Sequence, residues 1–162
     1  MAYYYANGTS TKVELARADA VGVDLEVAAE AGVPKRWLKR LEHDGRSLRG
    51  AVVMLPRAGI AAETEVELEV AGALRPVYRA EGADIIVLPE VRVETDTAKQ
   101  AREVQEWMSR EGAEIVDVSE TRVTFRPASG RGEDALELAN RCNEQVKPAL
   151  AQAHFLRVVP RP

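Results

Sequence analysis

Apolar and polar positions follow a regular order through the second half of the chain. Residues 83–94 are rich in Ile and Val and alternate apolar with charged side chains in their second half, which predicts a half-buried strand. Pro89 within this run indicates an edge strand or a bulge. Residues 113–118 and 121–127 predict the two strands of a hairpin, and residues 154–159 predict a last strand.

Two helices are predicted between these strands. The first begins after Thr97, which forms a capping box with Gln100, and it ends at Gly112. Both helices carry an apolar stripe. The stripe of the first consists of Ala101, Val104 and Met108 beside Trp107, and that of the second consists of Ala135, Leu138, Ala139, Cys142 and Val146. The resulting order, strand–helix–strand–strand–helix–strand, is the split βαβ arrangement of ferredoxin-like domains.

The first half of the chain repeats this order less regularly. Residues 11–16, 50–55 and 73–78 predict strands, and residues 24–45 predict helical structure between the first two of them. Residues 61–72 allow two interpretations. Their apolar side chains alternate with glutamates as in a strand, whereas their place in the order requires a helix.

The two halves also end alike. Residues 73–82, ALRPVYRAEG, and residues 153–162, AHFLRVVPRP, are interpreted as the same closing strand of two related units. The sequence therefore predicts an α+β protein of two ferredoxin-like (βαββαβ) units in tandem, with antiparallel sheets and helices on one face. We place the N-terminal unit in residues 1–82 and the C-terminal unit in residues 83–162.

Composition narrows the classes of protein that fit this pattern. The chain has 162 residues, a net charge of -4 and one cysteine. That charge is not typical of a protein that coats nucleic acid, and a single cysteine excludes an internal disulfide and favours a reducing compartment. Residues 1–12 lack the basic segment and apolar run of a signal peptide, and no apolar stretch of the sequence is long enough to cross a bilayer. We expect a soluble, cytoplasmic protein.

Residues 24–45 resemble a helix-turn-helix, in which Val33, Leu38 and Leu41 would pack beneath the second helix. Four basic residues would then face phosphates or bases: Lys35, Arg36, Lys39 and Arg40. Acidic residues flank this stretch, however, and no third helix precedes Asp24. We therefore favour two amphipathic helices with a solvated basic face. A DNA-binding regulator that uses residues 24–45 is kept as an alternative, and nucleic acid is not the expected partner.

Residues with catalytic or metal-binding chemistry are few and scattered. His43 and His154 are the only histidines, and they lie in a charged turn and at the start of a predicted strand. Ser10 ends a Gly-Thr-Ser triplet that no helix follows, without a recognisable catalytic Asp or His around it. Cys142 lies on an apolar helical face as a core residue. Because no His, Cys or carboxylate cluster has ligand spacing, we expect no enzyme activity, no cofactor and no metal.

Much of the chain resembles the N-terminal prodomains of subtilisin-like (S8) serine proteases. The resemblance is carried by residues 84–118, then TRVTFRP at 121–127, DALELANRCNEQ at 134–145 and HFLRVV at 154–159. The family pattern is a strand, a helix that ends in glycine, two strands, a second helix and a last strand. This chain departs from the pattern by an insertion around residues 146–152 and by stopping a few residues after its last strand.

The resemblance implies a ferredoxin-like module that binds a subtilisin-like protease as inhibitor, folding chaperone or adaptor. In that family the sheet packs on two helices of the enzyme, and a carboxylate near a hairpin end caps them, as helix N-termini favour. We carry this role over to Glu120 and, second, to Asp117. The last strand and its extension would also contact the protease: Phe155, Arg157, Val158, Val159, Pro160, Arg161 and Pro162. A third interpretation is a homo-oligomeric scaffold that pairs its sheet edges with itself.

Overall fold

The computed structural model describes residues 2–7 and 9–158 and shows an α+β protein. In these residues five α-helices and one short 3-10 turn accompany nine strands of antiparallel sheet. The helices are α1 (Leu25–Glu30), α2 (Lys35–Asp44), α3 (Ala62–Val70), α4 (Ala98–Arg110) and α5 (Gly132–Gln145). The strands are β1 (Ala2–Asn7), β2 (Thr11–Asp24), β3 (Arg46–Ser47), β4 (Val52–Pro56), β5 (Leu74–Ala80), β6 (Ala83–Glu94), β7 (Glu114–Val118), β8 (Arg122–Arg126) and β9 (Leu150–Arg157).

The chain divides into two compact units, each built from two segments. The first unit combines the described residues up to Ala16 with Val87–Phe155, and the second combines Arg17–Ile86 with the described residues from Leu156 onward. The long strands β2 and β6 contribute to both units, because each is cut by one of these boundaries. The segment boundary predicted at residues 82 and 83 lies in the turn between β5 and β6, where Gly82 has φ +80°.

The second unit orders its strands β3-β4-β2-β5, with α1 and α2 in the connection from β2 to β3. β2 pairs antiparallel with β4 from Ala20–Pro56 to Asp24–Val52. Alternate strand positions and the apolar side of α2 meet in one core, which includes Val21, Val23, Val53, Leu55, Leu38, Leu41 and Leu68. The predicted helix-turn-helix segment is therefore the pair of helices that covers this sheet.

Residues 62–70 form helix α3, which decides between the two interpretations of this segment. Strands β4 and β5 lie on the two sides of β2 and run in the same direction, so their connection must cross over the sheet, and a helix is the usual crossover. Leu68 is fully buried, whereas Val66 and Val70 remain exposed. Gly72 has φ +70°, and the following N–H, of Ala73, donates to the Leu68 carbonyl to end the helix.

The first unit orders its strands β9-β6-β8-β7, and the hairpin β1–β2 belongs to the same unit. Its two helices bury most of the predicted stripes, including Trp107, Met108, Ala135 and Cys142, whereas Ala101 and Val146 are half-buried. The predicted helix start is confirmed, because Thr97 Oγ1 accepts from the Gln100 N–H at 3.1 Å. The Gln100 side chain accepts from the N–H of Asp96, one residue before the expected position.

Three sequence predictions need correction. Pro89 predicts an edge strand or a bulge, and the edge is wrong, because β6 has neighbours on both sides. Its residues 83–86 pair with β5 and its residues 91–94 with β8, so Pro89 lies between the two paired stretches. β2 continues to Asp24 rather than ending at residue 16, and β9 begins at Leu150 rather than at residue 154. Strand β1 was not predicted at all.

Candidate functional site

The sheet of the first unit has an apolar and a polar face. Because side chains alternate along a strand, the buried residues Val91, Val93 and Phe125 face the helices, and the residues between them face away. An antiparallel sheet with helices on one face leaves the other face for solvent or a partner. We call this second side the polar sheet face, and its residues are Glu90, Arg92, Asp117, Thr124 and His154.

The residues of the polar sheet face form a row across four strands. Arg92 of β6 pairs with Thr124 of β8, which pairs with Asp117 of β7. On the other side of β6, His154 of β9 places Nδ1 3.3 Å from Arg92 Nη2 and 3.4 Å from Glu90 Oε2. The row thus presents a guanidinium, an imidazole and two carboxylates to a partner surface, whereas Thr124 between them is buried.

The environment of His154 favours its neutral form. Partial burial lowers the pKa of the imidazole, and the positive charge of Arg92 lowers it further. The contact with Glu90 acts in the opposite direction, but the net pKa lies below the ordinary value for histidine. His154 is therefore uncharged in the folded protein at pH values where a free histidine is already partly protonated.

We predict that His154 makes the folded protein less stable in mild acid. Its folded-state pKa is lower than its unfolded-state pKa of about 6.5, so the unfolded chain takes up the proton first. The contribution is fully present above about pH 6.5 and is lost as the pH falls below that value. Urea unfolding of the wild type and His154→Gln between pH 5 and pH 8 measures the difference. A wild type that gains stability over the variant on acidification would contradict the sign.

The β7–β8 hairpin carries the two carboxylates assigned from the family resemblance. Asp117 and Glu120 are both exposed, Asp117 within β7 and Glu120 in the turn. The turn is held by Ser119, whose N–H and hydroxyl both donate to the Arg122 carbonyl, at 2.8 and 3.0 Å. The hairpin therefore holds both carboxylates at one edge of the polar sheet face.

The residues assigned on the last strand have different environments. The Phe155 ring is half-buried against Tyr4, with ring centroids 4.9 Å apart, so an intramolecular contact occupies it. Arg157 is exposed. Val158 is buried, and its N–H donates to the Asp84 carbonyl at 3.0 Å. Val159, Pro160, Arg161 and Pro162 lie outside the described residues. Strand order puts β9 and the hairpin of Asp117 and Glu120 at opposite edges of the first unit's sheet.

A tyrosine–carboxylate cluster fixes strand β1 to helix α5. The hydroxyls of Tyr3 and Tyr5 both donate to Glu144 Oε2, at 2.9 and 2.5 Å. These hydrogen bonds are the main reason why the pKa of both tyrosines is raised and the pKa of Glu144 is lowered. Asn140 Nδ2 donates to the Tyr3 carbonyl, and Lys12 Nζ lies over the Tyr3 ring. This cluster explains the aromatic run at the start of the sequence structurally.

The surroundings of the remaining candidate residues indicate no catalytic or binding role within the part of the chain that the structure describes. Lys35, Arg36, Lys39 and Arg40 are exposed on α2, whose opposite side buries Leu38 and Leu41 in the core. The Ser10 hydroxyl donates to the Asn7 carbonyl in the β1–β2 turn. Burial raises the pKa of the Cys142 thiol to about 12, so it is protonated. His43 is exposed beside Asp44 at the rim of an open groove of about 450 Å³ in the second unit.

Two comparisons with known proteins, one with family models and one with curated proteins, find no match. Within residues 2–7 and 9–158, no group of His, Cys, Asp or Glu side chains is arranged to hold a metal ion. None of the helices in the part of the chain that the structure describes is both long and apolar enough to cross a membrane.

The polar sheet face was not predicted from the sequence, although the sequence contains part of the pattern that indicates it. Glu90, Arg92 and Glu94 alternate with Val91 and Val93, which indicates a polar strand face. Sequence spacing does not show, however, that His154 lies next to Arg92, 62 residues away. That contact depends on the pairing of β9 with β6.

Proposed function

We propose that the protein is a non-enzymatic protein-binding module that docks on a subtilisin-like serine protease as inhibitor, folding chaperone or adaptor. The observation that carries this proposal is the polar sheet face with the exposed carboxylates Asp117 and Glu120 at its edge. A second protein can cover such a face without rearrangement of the helices, which lie on the other side.

Strand order supports the ferredoxin-like part of the proposal. When β1 is left out, each half of the chain has four described strands. The third of these lies beside the first, and the fourth lies on the other side of the first, as in split βαβ units. The orders are β3-β4-β2-β5 and β7-β8-β6-β9. A tandem pair of such units, in residues 1–82 and 83–162, therefore remains our proposal for the architecture.

Electrostatics support the role of the hairpin. Two exposed carboxylates held a few residues apart can each face the N-terminus of a partner helix, whose free N–H groups carry positive partial charge. A carboxylate in this position contributes about 0.5–1 kcal/mol. We propose that residues 159–162 follow the last strand into the protease cleft, where extended, proline-containing backbone loses little entropy on binding.

Titration with a subtilisin whose catalytic serine is replaced by alanine tests the proposal without digestion of the chain. We expect a one-to-one complex by calorimetry. The double variant Asp117→Asn/Glu120→Gln should bind about tenfold more weakly, because two charge–dipole contacts are lost. The matched control is Glu103→Gln/Glu106→Gln, which removes the same charge from exposed positions of α4, on the helical side of the unit.

Three results would count against the proposal. Absence of a complex at about 100 μM of both proteins would overturn it, since that concentration detects even weak specific docking. Equal weakening by both double variants would show that net charge rather than the hairpin matters. Removal of residues 159–162 should weaken binding further, and unchanged binding would remove the tail from the interface.

A further inference from the structure

Strand β7 is an open sheet edge that exposes apolar side chains. It ends the strand order of the first unit and pairs with β8 alone among the described strands. All five of its residues are exposed, and Ile115, Val116 and Val118 have 49%, 43% and 60% of their surface accessible. β8, its neighbour, has three buried residues in the same length. Exposed apolar residues grouped on one edge, rather than scattered singly, are typical of an interaction site.

The backbone of β7 has hydrogen-bonding groups directed away from β8. The Ser119 N–H bonds to the Arg122 carbonyl, and bonded and non-bonded pairs alternate along an antiparallel ladder. Val118, opposite Val123, is therefore a non-bonded position whose N–H and C=O point outward. The register shifts between Ile115 and Asp117, which leaves Val116 without a partner on β8.

Charge determines which strand can use this edge. Glu114 and Asp117 lie on β7 and Glu120 lies in the adjoining turn, and all three are exposed. A second copy of this chain, paired antiparallel along β7, would bring Glu114 of each copy next to Asp117 of the other, and facing like charges destabilise strand pairing. An extended segment with lysine or arginine between its apolar residues meets the same carboxylates favourably.

We infer that β7 accepts, as an added antiparallel strand, an extended partner segment in which apolar residues alternate with lysine or arginine. The partner's backbone pairs with the outward groups of β7, its apolar side chains cover Ile115 and Val118, and its cations face Glu114 and Asp117. The carboxylates that oppose self-pairing thus select the partner. This site lies at the sheet edge and shares Asp117 with the polar sheet face of the proposed function, but its backbone groups and its apolar residues Ile115 and Val118 lie outside that face.

Nuclear magnetic resonance with the isotope-labelled full chain and three peptides tests the inference. The probes are acetyl-(Lys-Val)4-amide, acetyl-(Glu-Val)4-amide, and the first peptide with every second valine N-methylated. We expect the basic peptide, at up to about 1 mM, to shift the amide signals of residues 114–118 and to slow their hydrogen exchange. The acidic peptide should bind at least about tenfold more weakly. The N-methylated peptide should bind more weakly, because half of the N–H groups along one of its edges can no longer donate.

Two variants keep the test decisive. Glu114→Lys/Asp117→Lys should reverse the preference, so that the acidic peptide binds more tightly. Should that variant not fold, Ile115→Lys/Val118→Lys replaces side chains that are already exposed, and it should weaken the basic peptide about tenfold. Equal binding of basic and acidic peptides, signal changes away from β7, or concentration-dependent protection of β7 without peptide would each overturn the inference. The peptide titration contains no protease, so the two proposals are tested separately. If the wild-type protein binds subtilisin but not the basic peptide, this inference alone is contradicted. If it binds the basic peptide but not subtilisin, only the proposed function is contradicted.

Discussion

Replacement of Asp24 by alanine is expected to lower the free energy of unfolding of the second unit by about 3–5 kcal/mol. Asp24 is the N-cap of α1, and its Oδ1 accepts from the N–H groups of Glu26 and Val27, each at 3.1 Å. Its Oδ2 lies 3.6 Å from Nη2 of Arg75, whose side chain is only 5% exposed. Loss of the carboxylate removes a cap and also removes a negative charge that lies beside a buried guanidinium.

Loss of the negative charge beside Arg75 is the larger of the two effects. Loss of an N-cap costs about 1 kcal/mol, whereas removal of one member of a buried ion pair costs about 3–5 kcal/mol. Arg75 Nη1 also donates to the carbonyls of Gly72 and Leu74, so the guanidinium holds the end of α3 and the start of β5. Through Arg75, the carboxylate of Asp24 therefore connects the beginning of α1 to the end of α3.

Each unit has its own fluorescent reporter, which makes the measurement specific. Trp37 lies on α2 in the second unit, and Trp107 lies on α4 in the first. Urea unfolding of Asp24→Ala should be followed by Trp37 emission in a Trp107→Phe background. Asp24→Asn keeps an oxygen for the cap and should lose less stability. Asp19→Ala removes an exposed aspartate from the same strand and should change stability by less than about 0.5 kcal/mol.

The variant Arg75→Met separates the two contributions. It removes the buried charge together with the need for a counter-ion, so Asp24→Ala should be much less harmful in that background. If Asp24→Ala costs the same in both backgrounds, the ion pair is not responsible and only the cap remains. A loss of 1 kcal/mol or less in the wild-type background would have the same meaning.

Sequence reasoning succeeded where one local pattern determines the structure. The stripe of α5 and the cap at Thr97 are confirmed, because helix periodicity and capping involve residues within one or two turns of each other. Residues 62–70 were undecided for the opposite reason. Their alternating pattern indicates a strand locally, and only the arrangement of β4 and β5 around β2 makes a helix necessary.

The candidate binding surfaces depend even more on contacts between residues that are distant in the sequence. That β7 would form a strand was predicted from its residues, but its place at the edge of the sheet follows from pairing alone. Phe155 was assigned to a partner because its strand ends the sequence, yet its ring contacts Tyr4, about 150 residues away. Strand β1 was missed because its aromatic residues have no alternating pattern, and their partners lie on α5.

Replacement of Asn143 by alanine is expected to destabilise the first unit by about 3 kcal/mol. The Asn143 side chain is buried and makes two hydrogen bonds to one residue of β9. Its Nδ2 donates to the Ala151 carbonyl at 2.6 Å, and its Oδ1 accepts from the Ala151 N–H at 3.1 Å. Both backbone groups of Ala151 are buried, so the alanine variant leaves a donor and an acceptor unsatisfied at about 1–3 kcal/mol each.

The same helix offers a matched control and a test of polarity. Asn140 is also nearly buried but makes one described bond, to the Tyr3 carbonyl, so Asn140→Ala should cost about 1 kcal/mol. Asn143→Asp keeps the acceptor for the Ala151 N–H but directs a carboxylate oxygen at the Ala151 carbonyl. That variant should therefore regain stability in acid, where the introduced group is protonated and can donate again.

Trp107 emission in a Trp37→Phe background reports this unfolding, since Trp107 Nε1 donates to Gln145 Oε1 near the end of the same helix. Equal losses of stability for Asn140→Ala and Asn143→Ala would contradict this explanation. Only Asn143→Ala leaves both the N–H and the C=O of one buried residue without a hydrogen bond. The bond pair also fixes where β9 begins, three residues after Lys147, whose φ of +59° is left-handed. Asn143→Ala should therefore speed amide exchange along β9 before it does so in β8, and uniform acceleration of both strands would show that Asn143 supports the whole unit rather than the last strand.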